Sequence, residues 1–150
     1  MNHPPGTIIV PCLETARYHR FTYSLACLEK PEGSQIVPAV GTSIVDNLNF
    51  AIRMLRSEDE WIWAIGDDHT FGSNTLMSLL DKGEDVIAPL CTRRAAPFGL
   101  VHYQEQIADT PYHRMVQFRD ISEEPFEVEW TGSALLIRRD VLEAIGDPWY

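Results

Sequence analysis

The sequence predicts an α/β domain in which helices flank a mixed, mainly parallel sheet. Up to Cys91, four apolar strand-like segments alternate with three helix-like segments, and the later residues read as extended segments separated by turns. Alternating strands and helices are typical of parallel sheets, whereas strands joined by short turns pair in antiparallel fashion. Because the chain has 150 residues, 45% of them hydrophobic, we expect a single domain over residues 1–150 with a buried core.

Four strands are predicted in the first half from short, apolar and largely β-branched runs at residues 7–13, 35–41, 60–66 and 85–91. The third run, "EWIWAIG", is the most apolar and should lie deepest in the sheet. Pro38 cannot donate a hydrogen bond to a neighbouring strand, so the second strand should lie at an edge of the sheet or end irregularly.

Three helices are predicted between these strands from apolar residues at helical spacing. Their apolar positions are Tyr18, Phe21, Leu25 and Leu28 in the first helix and Ile44, Leu48, Ile52 and Leu55 in the second. Pro31 stops the first helix. The third helix covers residues 73–83, with Ser73 or Asn74 as its cap and Gly83 as its stop.

The second half predicts a different arrangement. Residues 99–105 and 113–120 flank a short turn and read as an antiparallel hairpin. Residues 127–139, "EVEWTGSALLIRR", read as another extended run, and residues 140–146 read as a short helix. The sheet should therefore be mixed, with the hairpin in the second half.

The composition restricts the function and location of the protein. A formal net charge of −10 argues against binding to a nucleic-acid backbone. The three cysteines form no CxxC pair, which favours reduced thiols and a cytoplasmic protein. The N-terminal residues have no basic start and no long apolar run, so we expect neither a signal peptide nor a transmembrane segment.

An acidic pair follows the most apolar predicted strand. Asp67 and Asp68, with His69 after them, come directly after Gly66. Ligands of open α/β sheets bind beyond the carboxyl ends of the strands, and adjacent carboxylates favour a divalent cation there. Oxygen ligands predict Mg²⁺ or Mn²⁺, and His69 favours Mn²⁺. The same edge is expected to contain Glu14, Arg93 and Arg94, which suits a phosphate ligand bridged by the cation.

Two other interpretations of "GDDHTF" stay open at this point. The segment is also typical of a solvated turn, because turns favour Gly and Asp. Viral RNA polymerases place a Gly-Asp-Asp tripeptide on a hairpin, but here a helix is predicted after it instead of a returning strand. The chain is also too short and too acidic for a polymerase palm with a template channel.

The central segment "WIWAIGDDHTFGSNTLMSLLDKGEDVIAPLCTRR" resembles family 2 glycosyltransferases and their relatives. The segments "SIVDNLNFAIRML" and "VEWTGSALLIRRDVLEAIGDPWY" resemble the parts of that family before and after it. The resemblance implies a Rossmann-like domain of the GT-A type. It also implies a metal-dependent glycosyltransferase that uses a nucleotide-sugar donor and a carbohydrate, lipid or protein acceptor.

The resemblance implies roles for individual residues. Asp67, Asp68 and His69 are the expected metal ligands of a DxD-like motif. The expected donor-binding residues are Pro11, Glu14, Gly41, Asn49, Asp67, Arg93 and Arg94. Two positions depart from the family pattern: Gly66 stands where the first acid of the motif is expected, and Leu48 replaces the Arg of an Arg-Asn pair.

The later segment implies where the acceptor binds. Trp130, Thr131, Gly132 and Ser133 are the expected acceptor contacts, because small residues in this loop let a ligand approach. In the family a catalytic base follows beyond this region, and Glu127, Glu129 and Asp147 are the candidates here. His102 and His113 have no metal-ligand spacing and are expected to be structural or exposed. The alternative function is a non-catalytic domain that binds a nucleotide sugar or a partner.

Overall fold

The computed structural model describes residues 2–12, 19–41, 43–93, 95–131 and 134–150. Two compact units emerge, Met1–Ile87 together with Ala134–Tyr150, and Ala88–Ser133. In chain order the elements are β1 (Thr7–Cys12), α1 (His19–Ala26), β2 (Gln35–Val40), α2 (Ile44–Arg53), β3 (Trp61–Ala64), α3 (Thr75–Lys82), β4 (Val86–Ile87), β5 (His102–Gln106), β6 (His113–Met115), a 3-10 turn (Phe118–Asp120), β7 (Trp130–Thr131), β8 (Leu135–Arg138) and α4 (Arg139–Ile145).

The first unit contains a five-stranded mixed sheet in the order β2-β1-β3-β8-β4. Strand β1 pairs in parallel with β2 and β3, whereas β8 pairs in antiparallel fashion with β3 and β4. Strand β4 therefore runs in the same direction as β3, and β8 runs against both. The predicted mixed α/β class is confirmed, and Pro38 lies in the edge strand β2 as expected.

The core of the first unit forms around β3, all four residues of which are buried. Helix α2 packs on the sheet through Leu48, Ala51 and Ile52. Ile44, the first residue of α2, is exposed, so the buried part of this face begins one turn later at Leu48. Phe21 of α1 is buried, and Tyr18 lies outside the described residues. The predicted first helix was too long: α1 ends at Ala26, and Leu28, also buried, follows it before Pro31.

Two predicted strands were too long. The run at residues 85–91 contributes only Val86–Ile87, and the run at residues 127–139 is divided between β7 and β8. Ala134 lies at the division with φ of 60°, a left-handed backbone conformation outside the β region, which interrupts the predicted strand. The predicted end of α3 is correct, because Gly83 adopts the left-handed conformation with φ of 71° and caps the helix.

The second unit contains a three-stranded antiparallel sheet in the order β6-β5-β7. Strands β5 and β6 form the predicted hairpin, with Tyr103 opposite Met115. On the other side of β5, Tyr103 lies opposite Trp130 of β7. His102 is buried beside these positions, and its backbone oxygen accepts a hydrogen bond from the Val116 amide at 2.9 Å.

Candidate functional site

The carboxyl ends of β2, β1 and β3 lie at one edge of the sheet because these strands are parallel neighbours. Cys12 lies opposite Val40, and Ile9 lies opposite Ala64. The amide of Ile65 still donates to the Ile9 carbonyl at 3.0 Å, so the β1–β3 pairing continues to the start of the acidic turn, residues 66–69. The structure thereby brings Pro11 and Gly41 to the same edge as Asp67 and Asp68.

Asp68 and His69 contact each other within the acidic turn. The Nδ1 atom of His69 lies 3.0 Å from the Asp68 Oδ1 atom and 3.0 Å from the Gly66 carbonyl oxygen. A carbonyl oxygen only accepts hydrogen bonds, so Nδ1 carries the hydrogen and is not a metal-binding atom in this arrangement. His69 orients the Asp68 carboxylate, the way a neighbouring donor commonly orients a metal ligand.

Gly66 makes room for this contact. A Cβ atom at Gly66 would lie 3.0 Å from Asp68 Oδ1 and 3.2 Å from His69 Nδ1. A larger side chain, including the acid expected from the family pattern, would therefore require the Asp68 and His69 side chains to shift by a few tenths of an ångström. The turn presents two adjacent carboxylates in place of two acids separated by one residue.

The donor atoms fit a cation held jointly with a phosphate. Asp67 and Asp68 are partly exposed and offer hard oxygen ligands. Within the described residues, no group of three or more His, Cys, Asp or Glu side chains is placed to hold a metal ion. Mg²⁺ and Mn²⁺ commonly bind through one or two carboxylates plus substrate phosphate oxygens and water. In such a complex, Asp67 and Asp68 would be the protein's carboxylate ligands.

The loop after the acidic turn is anchored to the core by aromatic packing. The ring of Phe71 meets Trp63 edge-on at a centroid distance of 5.3 Å and Phe21 at 6.2 Å. Its amide donates to the Ser24 hydroxyl at 3.2 Å. The loop is thus held by β3 at one end and by α1 at the other, which fixes the position of the carboxylates between them.

Asn49 has a structural role that differs from the predicted donor contact. It is buried in α2, and its Nδ2 donates to the carbonyls of Val45 and Tyr150 at 3.0 and 3.1 Å. Its Oδ1 accepts from the amides of Trp149 and Tyr150 at 2.9 and 3.2 Å. These four hydrogen bonds engage both ends of the side-chain amide and tie the last residues to α2.

The candidate bases differ in their surroundings. Asp147 forms a two-pronged ion pair with Arg53, at 2.8 and 2.5 Å, and this hydrogen bonding holds the pKa of Asp147 below its ordinary value. A lowered pKa makes the carboxylate a weaker base. In the second unit, Glu129 pairs with His113 at 3.1 Å, and Glu127 is exposed.

The other predicted site residues of the second unit are distributed as follows. Arg93 is exposed, and its amide donates to the Gly99 carbonyl at 2.9 Å. Trp130 is exposed on β7. The Thr131 hydroxyl lies 3.0 Å from His102 Nδ1. Glu14 of the first unit, and Arg94, Gly132 and Ser133, lie outside the described residues, so their predicted roles stay predictions.

His102 is a buried structural histidine, one of the two outcomes expected from the sequence. Its Nε2 accepts a hydrogen bond from the Cys91 amide at 2.8 Å, which requires an unprotonated nitrogen. Burial lowers the pKa of His102, and a hydrogen bond to the Pro89 backbone opposes this only in part. The side chain is therefore neutral and holds the segment around Cys91 against β5.

Asp59, before β3, was missed because nothing in its local sequence marks it. It is fully buried and accepts hydrogen bonds from Thr7 at 2.7 Å and from Arg56 at 2.6 Å. Burial raises the pKa of Asp59, but hydrogen bonds from Arg56 and Thr7 lower it by more, so it lies below its ordinary value. The network lies at the opposite end of β3 from the acidic turn and stabilises the fold.

Comparisons with known proteins bear on the fold alone. No protein-family model matches the sequence, and no curated protein sequence matches it. The chain resembles the crystal structure of A197 from STIV with a TM-score of 0.56, 15% sequence identity, and coverage of 96% of this chain and 70% of that chain. At this identity, the likeness shows a shared α/β fold.

Within the described part of the chain, no helix combines the length and the apolarity needed to cross a bilayer.

Proposed function

We propose that this protein is a metal-dependent glycosyltransferase of the GT-A type that transfers a sugar from a nucleotide-sugar donor to an acceptor. One observation carries the proposal: the adjacent carboxylates of Asp67 and Asp68 lie at the carboxyl end of the buried strand β3, beside the parallel ends of β1 and β2. Ligands of open α/β sheets bind at this edge. The resemblance of the same segment to family 2 glycosyltransferases supports a nucleotide-sugar donor.

In this proposal the edge of the first unit binds the donor. Asp67 and Asp68 would hold a divalent cation, Mn²⁺ or Mg²⁺, and such a cation would supply positive charge for a diphosphate leaving group. His69 and Gly66 keep the Asp68 carboxylate in place. Pro11 and Gly41 contribute the neighbouring strand ends for the nucleoside. The diphosphate-binding roles of Arg93 and Arg94 stay predictions from the sequence.

The reaction itself is a displacement at the anomeric carbon of the sugar. An acceptor oxygen forms a bond to this carbon, the bond to the diphosphate oxygen breaks, and its electron pair leaves with the diphosphate. The acceptor proton passes to a base. Asp147 is a poor candidate because Arg53 stabilises its charged form, which leaves Glu127 and Glu129 among the three proposed residues.

Binding of nucleotide sugars tests the proposal directly. A panel of UDP-, GDP- and dTDP-sugars is titrated calorimetrically into the full chain, with Mn²⁺, with Mg²⁺ and with EDTA. We expect one class of donor to bind only when a divalent cation is present, and free sugar to be released slowly. If no donor binds the folded chain under any of these conditions, the proposal is wrong.

A non-catalytic nucleotide-sugar-binding domain is the second candidate. Two observations favour it: Gly66 stands in place of an acid, and Asp147 is engaged by Arg53. The same titrations separate the two functions when they are followed by an assay for free sugar and for transfer to added acceptors. Metal-dependent binding with neither product would establish binding without catalysis.

A further inference from the structure

The antiparallel sheet of the second unit presents an aromatic pair on its surface. Tyr103 and Trp130 lie opposite each other in the pairing of β5 with β7, with ring centroids 4.9 Å apart and ring planes inclined by 52°. Trp130 remains 57% exposed although its indole is a large apolar group. An exposed, supported aromatic ring of this kind is typical of a surface that binds a ligand.

The indole N–H of Trp130 differs from the other three indole N–H groups in its hydrogen bonding. The indoles of Trp61, Trp63 and Trp149 donate to the carbonyls of Pro4, Ala134 and Leu142, at 3.1, 3.2 and 2.7 Å. Within the described residues, the indole of Trp130 has no comparable acceptor. Its N–H is therefore available to an oxygen atom of a ligand.

A polar pair includes Glu129, the residue that precedes Trp130 in the sequence. The Nε2 atom of His113 is 3.1 Å from the Glu129 Oε2 atom, and these side chains are 35% and 54% exposed. Glu129 directly precedes Trp130, and its amide donates to the Tyr103 carbonyl at 2.9 Å. The three-stranded sheet and the residue before β7 thus contribute partly exposed polar side chains as well as exposed aromatic area.

We propose that Tyr103, His113, Glu129 and Trp130, together called the aromatic platform, bind a neutral oligosaccharide. A pyranose ring has an apolar face of C–H groups that packs on an aromatic ring. Its hydroxyls both donate and accept, so they match the indole N–H and the His113–Glu129 pair. Nucleic acid also stacks on aromatic rings, but the second unit contains more carboxylates than arginines and so repels a phosphate backbone.

This inference deepens the proposed function by naming a saccharide as the acceptor class. Saccharide binding itself does not depend on the proposed function, but the role of the saccharide as acceptor does. The platform lies within the second unit, whereas the proposed donor-binding turn lies within the first. Saccharide binding and donor binding are therefore measured as separate properties of the full chain.

The test uses cellohexaose, maltohexaose and mannohexaose as probes. Each is titrated into the ¹⁵N-labelled full chain while the four indole N–H resonances are followed, with that of Trp130 assigned from a Trp130→Phe variant. We expect at least one hexasaccharide to shift the Trp130 resonance, and Trp130→Ala to bind it at least tenfold more weakly. Phe118→Ala is the matched control, because Phe118 is 60% exposed in the same unit but outside the platform.

The outcomes separate this inference from the proposed function. Asp68→Asn should lose metal-dependent nucleotide binding and keep saccharide affinity, and Trp130→Ala should do the reverse. The inference is overturned if none of the three hexasaccharides binds the folded chain, or if Trp130→Ala binds as tightly as the parent. Either result leaves donor binding, measured calorimetrically on the same samples, to decide the proposed function by itself.

Discussion

Gly66 determines how the acidic turn presents its carboxylates. Because a Cβ atom there would crowd Asp68 and His69, glycine before the pair leaves room for the observed contact. His69 then supplies a donor to Asp68 at 3.0 Å, which helps to orient the partly exposed carboxylate. At the scale of single residues, Gly66 and His69 thus restrain the Asp68 carboxylate.

Replacing Asp68 by Asn should remove metal-dependent nucleotide binding and leave the fold intact. The amide is a weaker cation ligand than the carboxylate, and the side chain is partly exposed, so the free energy of unfolding should change by less than about 1 kcal/mol. Calorimetric titration of UDP and GDP in the presence of Mn²⁺ measures the binding, and thermal unfolding measures stability.

Asp109→Asn serves as the control for the loss of one carboxylate, since Asp109 lies in an exposed turn with φ of 60°, a conformation that Asn also tolerates. Unchanged metal-dependent affinity in Asp68→Asn would show that Asp68 is not a ligand.

Individual residue roles were the least predictable part of this protein. The position of Asp67 and Asp68 at the strand end followed from the apolar run before them. The hydrogen bonds of Asn49 could not be predicted in this way, because its partners Trp149 and Tyr150 are a hundred residues away in sequence. The pairing of Asp147 with Arg53 is equally non-local. Spacing along one chain contains no information about such contacts.

At the scale of elements, Phe71 joins the loop after β3 to α1. It packs between Trp63 and Phe21, and its amide is held by Ser24. The same loop starts with the acidic turn, so the packing of Phe71 also restrains the positions of the two carboxylates.

Replacing Phe71 by Ala should therefore weaken both stability and metal-dependent binding. Loss of a partly buried ring that makes two edge-on aromatic contacts should lower the free energy of unfolding by about 1–3 kcal/mol. Phe71→Leu, which keeps apolar volume, should lose less. Urea unfolding and nucleotide titration of the two variants measure these effects, and full retention of binding in Phe71→Ala would contradict the link.

Asp59 accepts hydrogen bonds from Thr7 of β1, Gln35 of β2 and Arg56. It thereby connects these two strands to the segment before β3. Because its folded pKa is lowered, the unfolded state binds the proton more readily, and the carboxylate stabilises the fold above the unfolded pKa of about 3.9. Asp59→Asn should cost about 2–4 kcal/mol at neutral pH, since Arg56 loses its charged partner.

That difference should shrink as the pH falls below about 4, towards the lowered folded pKa. Chemical unfolding of both proteins at several pH values provides the measurement. A constant difference between pH 7 and pH 3 would show that Asp59 acts by packing and not by charge.

The elements themselves were largely predictable, with exceptions that have physical causes. The hairpin and the helix preceding β3 follow from local periodicity. The division of residues 127–139 between two sheets does not, because it depends on the left-handed backbone at Ala134 and on which strands are available to pair. A side chain other than glycine gives no local signal for that conformation.

At the scale of the whole molecule, the two units depend on different titratable groups. His102 of the second unit accepts the Cys91 amide and is buried, so its pKa is lowered in the folded state. The unfolded state then binds the proton more readily, and stability is lost as the pH falls from about 6.5 towards the folded pKa. Asp59 of the first unit responds only below about pH 4.

Mild acid should therefore loosen the second unit before the first. Hydrogen exchange between pH 7 and pH 5 should show falling protection factors for the Cys91 and Val116 amides, while the Ile65 amide, bonded to Ile9, keeps its protection. In His102→Gln the pH dependence should disappear. Equal loss of protection in both units would mean that His102 does not control the acid response.

Pro38 affects whether the edge of the sheet can pair with strands of other molecules at high protein concentration. The Gln35 amide points towards β1, where it donates to the Gly6 carbonyl, so the backbone nitrogen of residue 38 points outward from the edge of the sheet. The same strand exposes the apolar side chains of Ile36 and Val40. An exposed apolar edge strand can pair with strands of other molecules. Because a prolyl nitrogen has no hydrogen, the outward row of donors is interrupted at its centre. Aggregation through β2 is thereby discouraged without any charge on that edge.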